Sequence, residues 1–203
     1  AMADTAHELD NTRLVSAALL AYANNDTIHV DDPLGKKLDV VSFNEYYGWY
    51  TGGMPWEINK FNFKIDYQKP VIISEMGAGA LAGFYADSAK RFSEEYQQCV
   101  YQKQMQVISK IDNLKGMTPW ILVDFRSPKR MSPDYQNGWN RKGLISETGQ
   151  KKKAFYCNVR QDPEGIYACG HAAMEEFRGR ELGVKAGEGF IRMSGKLQGG
   201  MGF

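Results

Sequence analysis

The chain has 203 residues, of which 43% are hydrophobic and 12% aromatic. This length suits a single domain, and the apolar content is enough for a substantial core, which excludes a generally disordered protein. The 25 Lys and Arg residues balance 24 Asp and Glu residues, so the formal charge is only +1. That balance excludes the strongly basic surface on which most nucleic-acid binding depends.

The cysteines and the apolar runs bear on the cell compartment. Cys99, Cys157 and Cys169 are too few and too irregularly spaced for a disulfide framework or for a Cys-x-x-Cys zinc site. The longest apolar runs are far shorter than the roughly 20 residues that span a bilayer. We therefore expect a soluble protein without membrane contact, and the sequence leaves its compartment, cytoplasmic or periplasmic, open.

The first half of the chain predicts one helix and two strands. Residues 4–10 favour a helix, and residues 14–20 form an apolar run short enough for a buried strand. Residues 38–43 predict a second strand, which ends at Asn44. A loop with Gly and Pro residues then leads into a short helix at about 56–61.

The second half continues the alternation of strand and helix. Residues 71–75 predict a third strand that ends at Glu75, and a helical apolar spacing runs from about 88 to 111. A fourth strand is predicted at 117–123, ending at Asp124. Short and continuously apolar strands separated by helices indicate a parallel sheet that is buried on both faces.

The end of the chain has a different character. From residue 170 to 203 there are 9 glycines among charged residues, without a lasting period. We therefore divide the chain into a folded domain at 1–157 and an irregular, loosely ordered tail at 158–203. The Lys151-Lys152-Lys153 run before the tail is interpreted as the solvated start of a helix rather than a nucleic-acid patch.

Polar and aromatic residues follow three of the predicted strands. They occupy positions 44–50, 75–77 and 120–126. In a parallel αβ barrel, the loops at the carboxyl ends of the strands build the pocket, so these residues are the candidates for chemistry. Carboxylates that act on an anomeric carbon, together with aromatic faces that cover sugar rings, are typical of carbohydrate enzymes.

Three segments resemble a known family. Residues 43–50 (FNEYYGWY), 73–77 (ISEMG) and 119–125 (PWILVDF) are similar, in that order, to the last barrel strands of family 2 glycoside hydrolases, and most closely to the β-glucuronidase group. Residues 92–97 and 138–143 add to the likeness, which covers about 4–156. The resemblance implies an α/β fold: the C-terminal half, about strands five to eight, of a (β/α)8 TIM barrel.

The resemblance also implies catalytic roles. Glu75 matches the glutamate that ends barrel strand seven and acts as the nucleophile in this family. From the residues alone, a glutamate that caps a neighbouring helix or pairs with a surface lysine would be favoured over a nucleophile, and it is the resemblance that reverses this order. Asn44, Tyr46 and Tyr50 match residues that line the sugar site, and Trp120 matches the floor of the sugar subsite, although it could also be a core tryptophan.

The substrate is implied by an Asn-x-Lys step. Asn140 and Lys142 match the pair that holds the sugar carboxylate in the glucuronidases, and a lysine charge beside an amide suits a uronate. A turn with a solvated lysine is the alternative. The expected function is therefore that of a retaining glycoside hydrolase which cleaves terminal β-D-glucuronic acid, and the expected partner is a β-glucuronide or related glycoside.

A second carboxyl group, the general acid and base, lies at the end of barrel strand four in this family. The resemblance begins after that strand, so we expect this chain to be a fragment that lacks the acid/base and is inactive alone. Glu45 is assigned a solvated or indirect supporting role, because it should face away from a pocket that Asn44 faces. Exposed edges of a half-barrel are expected to favour self-association.

Two other functions are compatible with these residues. A β-galactosidase-like exo-glycosidase would keep Glu75 and Trp120 but give Asn140 and Lys142 no special task. A non-catalytic half-barrel or sugar-binding module would need none of these roles. We expect no cofactor and no metal, since His7, His29 and His171 share no ligand spacing.

Overall fold

The structure is a computed structural model that describes residues 2–51 and 53–157. Two α-helices and nine strands occur in these residues, in the order α1 (Met2–Leu9), β1 (Ser16–Leu19), β2 (Tyr22–Asn24), β3 (Thr27–Val30), β4 (Val40–Glu45), β5 (Asn62–Ile65), β6 (Val71–Met76), α2 (Glu94–Ile108), β7 (Leu114–Pro119), β8 (Phe125–Arg126) and β9 (Trp139–Asn140). Three 3₁₀ helices lie at Pro33–Lys37, Pro55–Lys60 and Lys153–Tyr156. The predicted tail at 158–203 lies outside the described residues.

Four parallel strands form the central sheet. Their order is β1-β4-β6-β7, which is also their order along the chain. The inner strands β4 and β6 are largely buried, with Phe43 and Ile73 fully inaccessible, and Met117 of the outer strand β7 is nearly so. In β4 the four successive residues from Val40 to Phe43 are all buried although they point alternately to the two faces, so both faces are covered there, as in a barrel. The predicted α/β fold with a parallel sheet of four barrel strands is confirmed.

Helix α2 covers the sheet and begins later than the sequence predicts. Ser93 caps it, since its Oγ accepts a hydrogen bond from the Tyr96 amide at 3.0 Å, and two glutamates follow in the first turn. Tyr101, Met105 and Ile108 contribute its buried face. Residues 88–93, which we expected to be helical, form turns instead, and the cap marks the true start.

The fourth strand of the sheet is displaced from its prediction. It spans Leu114–Pro119 rather than 117–123. Pro119 has no amide hydrogen to continue the ladder, and from Ile121 the hydrogen bonds switch to a new partner, since its amide donates to the Lys142 carbonyl at 3.1 Å. The chain therefore leaves the sheet at Trp120 and builds a loop above it.

A small second sheet was not predicted. Strands β2 and β3 form a hairpin, and β5 pairs with β3 in parallel. The hairpin turns at Asn25, whose φ of 51° is left-handed, and Asn followed by Asp is a turn signal that could have revealed it. Strand β2 is wholly exposed, so it has no apolar alternation to recognise. No helix of the described residues is long and apolar enough to cross a membrane.

Candidate active site

Two predicted site residues, Asn44 and Glu75, lie opposite each other at the carboxyl ends of β4 and β6. A register shift after Phe43 places Asn44 opposite Glu75 in the sheet. The Ser74 hydroxyl donates a hydrogen bond to Asn44 Oδ1 at 2.8 Å, and the Asn44 side chain is exposed at this end of the sheet. Both residues therefore lie where a TIM barrel holds its active site.

Glu75 has a tyrosine as its hydrogen-bond partner. The Tyr46 hydroxyl donates to Glu75 Oε2 at 2.8 Å, and Glu75 is half-buried. Burial, together with the hydrogen bond to Glu75, raises the pKa of Tyr46. The phenol consequently stays protonated and remains a donor that fixes the orientation of the carboxylate.

Lys142 and Tyr50 form a second pair beside the first. Lys142 Nζ, on a residue that is 3% exposed, donates to the Tyr50 hydroxyl and lies 5.4 Å from the centre of the Tyr46 ring. Burial lowers the pKa of Lys142, although Tyr50 and the charge of Glu75 act in the opposite direction. Burial alone would raise the pKa of Tyr50, but Lys142 and Arg130 outweigh it and lower that pKa.

Asn140 lies directly beneath Lys142. It is 4% exposed, and its Oδ1 accepts a hydrogen bond from the Lys142 amide at 3.1 Å. The Asn-x-Lys step is therefore a local turn in which the amide side chain fixes the backbone that carries the lysine. The solvated lysine that we kept as an alternative is excluded by the burial of Lys142.

Trp120 follows the last residue of β7. It is half-buried, its amide donates to the Met76 carbonyl at 2.8 Å, and its ring meets Phe125 edge-on at 6.2 Å. The peptide bond between Trp120 and Ile121 is cis. The structure thus gathers Asn44, Tyr46, Glu75 and Trp120 at one end of the sheet, while the contacts of Lys142 with Tyr46 and Tyr50 add the Asn140 loop to the group.

The expectation for Glu45 was wrong in one respect. Glu45 is fully buried rather than solvated; its Oε1 accepts from the Tyr47 amide at 2.7 Å, and its Oε2 has no hydrogen-bond partner among residues 2–51 and 53–157. Burial raises its pKa to about 8. Since Asn44 is exposed and Glu45 is buried, the two side chains lie on opposite faces of the strand.

A buried ion pair supports the site and was missed by sequence reasoning. Lys152 is fully buried, not solvated as expected for the Lys151–Lys153 run, and its Nζ lies 2.8 and 3.0 Å from the Asp124 oxygens. It also donates to the carbonyls of Ala80 and Arg141 at 2.7 and 3.1 Å. Lys152 thereby joins the segments that follow β6, β7 and β9.

Asp124 completes this support. It accepts from the Gly143 amide at 2.7 Å, and a Cβ at Gly143 would lie 2.2 Å from the Asp124 nitrogen, so only glycine fits there. Burial raises the pKa of Asp124 and lowers the pKa of Lys152, so desolvation acts against both charges while the pairing favours them. The position of Asp124 at the end of an apolar run was a sequence signal for a buried aspartate. No sequence signal identified Lys152 as its partner.

No group of three or more metal-ligating side chains occurs in the described part of the chain. The chemistry open to this arrangement is that of its carboxylate, its phenols and its buried ammonium. A half-buried carboxylate can attack an electrophilic carbon, and a desolvated ammonium can hold an anion.

The chain has extensive similarity to known proteins. Residues 1–161 match the profile of the glycosyl hydrolases family 2, TIM barrel domain. A β-glucuronidase of Paenibacillus borealis is 31% identical over 162 residues, which are 75% of this chain and 25% of the relative. The β-glucuronidase of Canis lupus familiaris is 34% identical over 128 residues, 59% of this chain and 19% of the relative.

A solved structure shares the fold. The family 2 β-galacturonidase of Eisenbergiella tayi, determined with bound galacturonate, superimposes with a TM-score of 0.58 at 26% identity, covering 75% of this chain and 27% of that one. The chain thus spans about a quarter of the length of that enzyme and of the Paenibacillus borealis relative, and about a fifth of the Canis lupus familiaris relative.

Proposed function

This chain belongs to the TIM barrel domain of glycosyl hydrolase family 2, and from that membership we propose that it supplies the nucleophile strand and the uronate-binding loop of a retaining β-glucuronidase. The observation that supports this best is the pairing of two contacts: Tyr46 with Glu75, and Tyr50 with Lys142. They place a carboxylate and a buried cation beside the same pair of tyrosine rings, whose centres are 5.2 Å apart.

Glu75 acts in this proposal as the nucleophile. Its carboxylate attacks the anomeric carbon, the bond to the leaving oxygen breaks, and a covalent glycosyl-Glu75 ester forms. Water then gives a proton to the second carboxyl group of the retaining mechanism, attacks the same carbon and releases Glu75 as a carboxylate. Tyr46 holds one carboxylate oxygen by its hydrogen bond, which leaves the other oxygen for the attack.

The second carboxyl group of a retaining enzyme lies about 5–5.5 Å from the nucleophile and protonates the leaving oxygen. Glu45 does not suit this role, because its side chain is fully buried and bonded to the Tyr47 amide. We propose that the acid/base comes from barrel strand four, outside the resemblance, so this chain alone does not hydrolyse glycosides.

Lys142 determines the substrate class in this proposal. Its ammonium is desolvated, and no carboxylate pairs with it among the described residues. A sugar carboxylate would compensate that charge directly, whereas a neutral sugar would leave it with only the charge of Glu75, with which it makes no ion pair. Asn140 sets the backbone turn from which the lysine projects.

A β-galacturonidase is the second candidate. One observation favours it, namely the 26% identity to the Eisenbergiella tayi β-galacturonidase that was solved with galacturonate. Glucuronate and galacturonate carry the same carboxylate, so the roles of Glu75 and Lys142 would not change. The two sugars differ at one hydroxyl group, and discrimination there depends on residues that contact it.

The experiment that tests the proposal needs a whole barrel. We suggest a fusion in which the upstream part of the Paenibacillus borealis β-glucuronidase precedes this chain, hereafter the fusion. Nitrophenyl β-glucuronide, galacturonide, glucoside and galactoside are compared by kcat/KM, with the unfused chain as background. The proposal expects turnover of a uronide by the fusion and none by the chain. Preference for a neutral glycoside would overturn the uronate assignment.

A further inference from the structure

The turn at residues 46–51 carries both tyrosines of the candidate site. The amides of Trp49 and Tyr50 donate to the Tyr46 carbonyl at 3.0 and 3.1 Å, and the Gly48 amide donates to the Thr51 carbonyl at 2.6 Å. From this turn, Tyr46 reaches Glu75 and Tyr50 reaches Lys142. A shift of the turn would therefore move both contacts together.

Two side chains, one in the first turn of α2 and one in the segment just before it, donate hydrogen bonds to consecutive carbonyl groups of this turn. The Tyr96 hydroxyl donates to the Gly48 carbonyl at 2.6 Å, and Arg91 donates to the Trp49 carbonyl at 2.8 Å. The Trp49 carbonyl belongs to the same planar peptide unit as the Tyr50 nitrogen, so its orientation fixes the direction in which Tyr50 leaves the turn.

Arg91 also contacts the Trp49 side chain. Its guanidinium carbon lies 4.1 Å from the centre of the indole ring, which is the geometry of a cation–π contact. The same indole ring is 5.8 Å from Lys142 Nζ and meets the Tyr50 ring edge-on at 6.2 Å. Trp49 thus connects Arg91 on one segment with Lys142 and Tyr50 on others.

The backbone next to Arg91 is strained. Phe92 has a φ of 69°, a left-handed conformation that a bulky aromatic residue rarely adopts. Its ring meets Trp49 nearly perpendicular at 5.3 Å and stacks on Tyr135 at 4.8 Å. Strained residues tend to occur where function requires a particular geometry. Here the left-handed conformation of Phe92 accompanies the contact of both Arg91 and Phe92 with the indole ring of Trp49.

We propose that Arg91 is a positioning residue, which holds the Trp49–Tyr50 peptide so that Tyr50 meets Lys142 at the sugar carboxylate. Arg91 does not touch the substrate; it acts through the turn. The role of the Tyr50–Lys142 pair in this inference rests on the proposed function. The placement of Tyr50 by Arg91 rests only on the contacts of Arg91 with the Trp49 carbonyl and the Trp49 ring.

The placement is tested without substrate, in the 203-residue chain. The pKa of the Tyr50 hydroxyl is measured by NMR of ¹³Cζ-labelled tyrosine in wild type, Arg91→Lys and Arg91→Ala. Because Lys142 and Arg130 lower the pKa of Tyr50 in its present position, loss of the placement should raise it toward about 10, the ordinary tyrosine value. Arg91→Lys keeps the charge but not the planar guanidinium, so a rise in both variants indicates positioning.

Three results would overturn the inference. A pKa of Tyr50 that stays at the wild-type value in Arg91→Ala excludes the placement. A rise in Arg91→Ala with a wild-type value in Arg91→Lys shows an effect of charge alone. An equal rise in Arg126→Lys, the matched control at another arginine that lies 5.1 Å from a tryptophan ring, shows a general loosening.

The functional consequence is measured in the fusion. Arg91→Lys should lower the ratio of kcat/KM for uronide over glucoside roughly tenfold, since a displacement of about 1 Å can cost up to 10²-fold. A change that is equal for both substrates contradicts the positioning role. If the wild-type fusion prefers a neutral glycoside, the proposed function fails while the Tyr50 measurement still decides the placement.

Discussion

Lys142 is a buried cation whose side chain has a phenol, not a carboxylate, as its hydrogen-bond partner. Replacing it with Ala should reduce transition-state stabilisation for a uronide by about 2–5 kcal/mol, because the substrate anion loses a desolvated partner. Neutral glycosides should be affected far less. The measurement is kcat/KM for both substrate types in the fusion. Lys129→Ala serves as control, because Lys129 is exposed and lies in the loop between β8 and β9.

Equal losses on uronide and glucoside would contradict the assignment of Lys142. They would show that the loop around Asn140 has a purely structural task. The same result with Lys129→Ala would indicate a general effect of lowered positive charge near the site.

Glu45 makes the stability of the chain depend on pH. Its pKa is raised from 4.5 to about 8, so the folded state keeps a proton that the unfolded state has released. Between these two values, unfolding therefore releases a proton, and the free energy of unfolding should fall as the pH rises, by at most about 1.4 kcal/mol per unit.

The test is urea denaturation of the 203-residue chain at several pH values from 4.5 to 8, in wild type and Glu45→Gln. The amide is always neutral, so the variant should lose this slope and be more stable than wild type at the upper end of the range. Parallel stability curves for the two proteins would show that Glu45 is not the titrating group.

At the level of the elements, the loops of the site are joined through Lys152 and Asp124. Lys152→Met should destabilise the chain by up to about 3–5 kcal/mol, because buried Asp124 then keeps only Arg141, at 3.4 Å, as a cationic partner. Lys153→Met is the matched control: its Nζ pairs with Glu95 at 2.5 Å, but its side chain is 43% exposed. Such a pair contributes only about 0–1 kcal/mol.

Both variants are compared with wild type by chemical denaturation. A loss for Lys152→Met no larger than that for Lys153→Met would contradict the structural role of the buried pair. The double variant Lys152→Met with Asp124→Asn should recover part of the loss, since it also removes the buried negative charge that Lys152 no longer balances.

The elements that the sequence predicted are those with strong apolar signals. The runs that became β4 and β6 are mostly apolar, and their predicted starts and ends lie within about two residues of those observed. The strands β2 and β5 were not predicted. All residues of β2 are exposed, and exposed residues alternate with half-buried ones in β5, so neither strand has a strong apolar signal. The start of α2 was misplaced, since the apolar spacing continues into the turns before Ser93.

The candidate site was partly predictable for a related reason. Glu75, Tyr46 and Lys142 belong to short motifs whose order along the chain is informative. The burial of Glu45 and of Lys152 could not be predicted from the sequence. Charged residues are rarely buried unless a distant partner or a shifted pKa accounts for them. The contact of Arg91 with Trp49 joins residues 42 positions apart and has no local signal.

On the scale of the whole molecule, the central sheet has two outer strands, β1 and β7, each paired on one side only among the described residues. Leu14 and Leu20 flank β1 and are 75% and 67% exposed. Unpaired edges beside exposed apolar residues favour association. The 203-residue chain should therefore form dimers or larger species, which Leu14→Lys should weaken.

Sedimentation velocity at increasing protein concentration measures this association. Met131→Lys is the control, because Met131 is 65% exposed but lies in the loop between β8 and β9. A chain that remains monomeric at about 100 μM, or association that weakens equally in both variants, would contradict the role of the β1 edge.

The central claim is that Glu75 is the nucleophile of a uronide-cleaving barrel. A 2-deoxy-2-fluoro-β-glucuronyl fluoride tests it most directly, because fluoride leaves without a proton and the fluorosugar ester accumulates on the attacking carboxylate. Peptide mapping of the labelled fusion should place the sugar on Glu75, and Glu75→Gln should abolish both labelling and turnover. A label on another residue, or a Glu75→Gln variant that keeps more than about a tenth of wild-type kcat, would contradict the claim, since that loss is below about 1.4 kcal/mol.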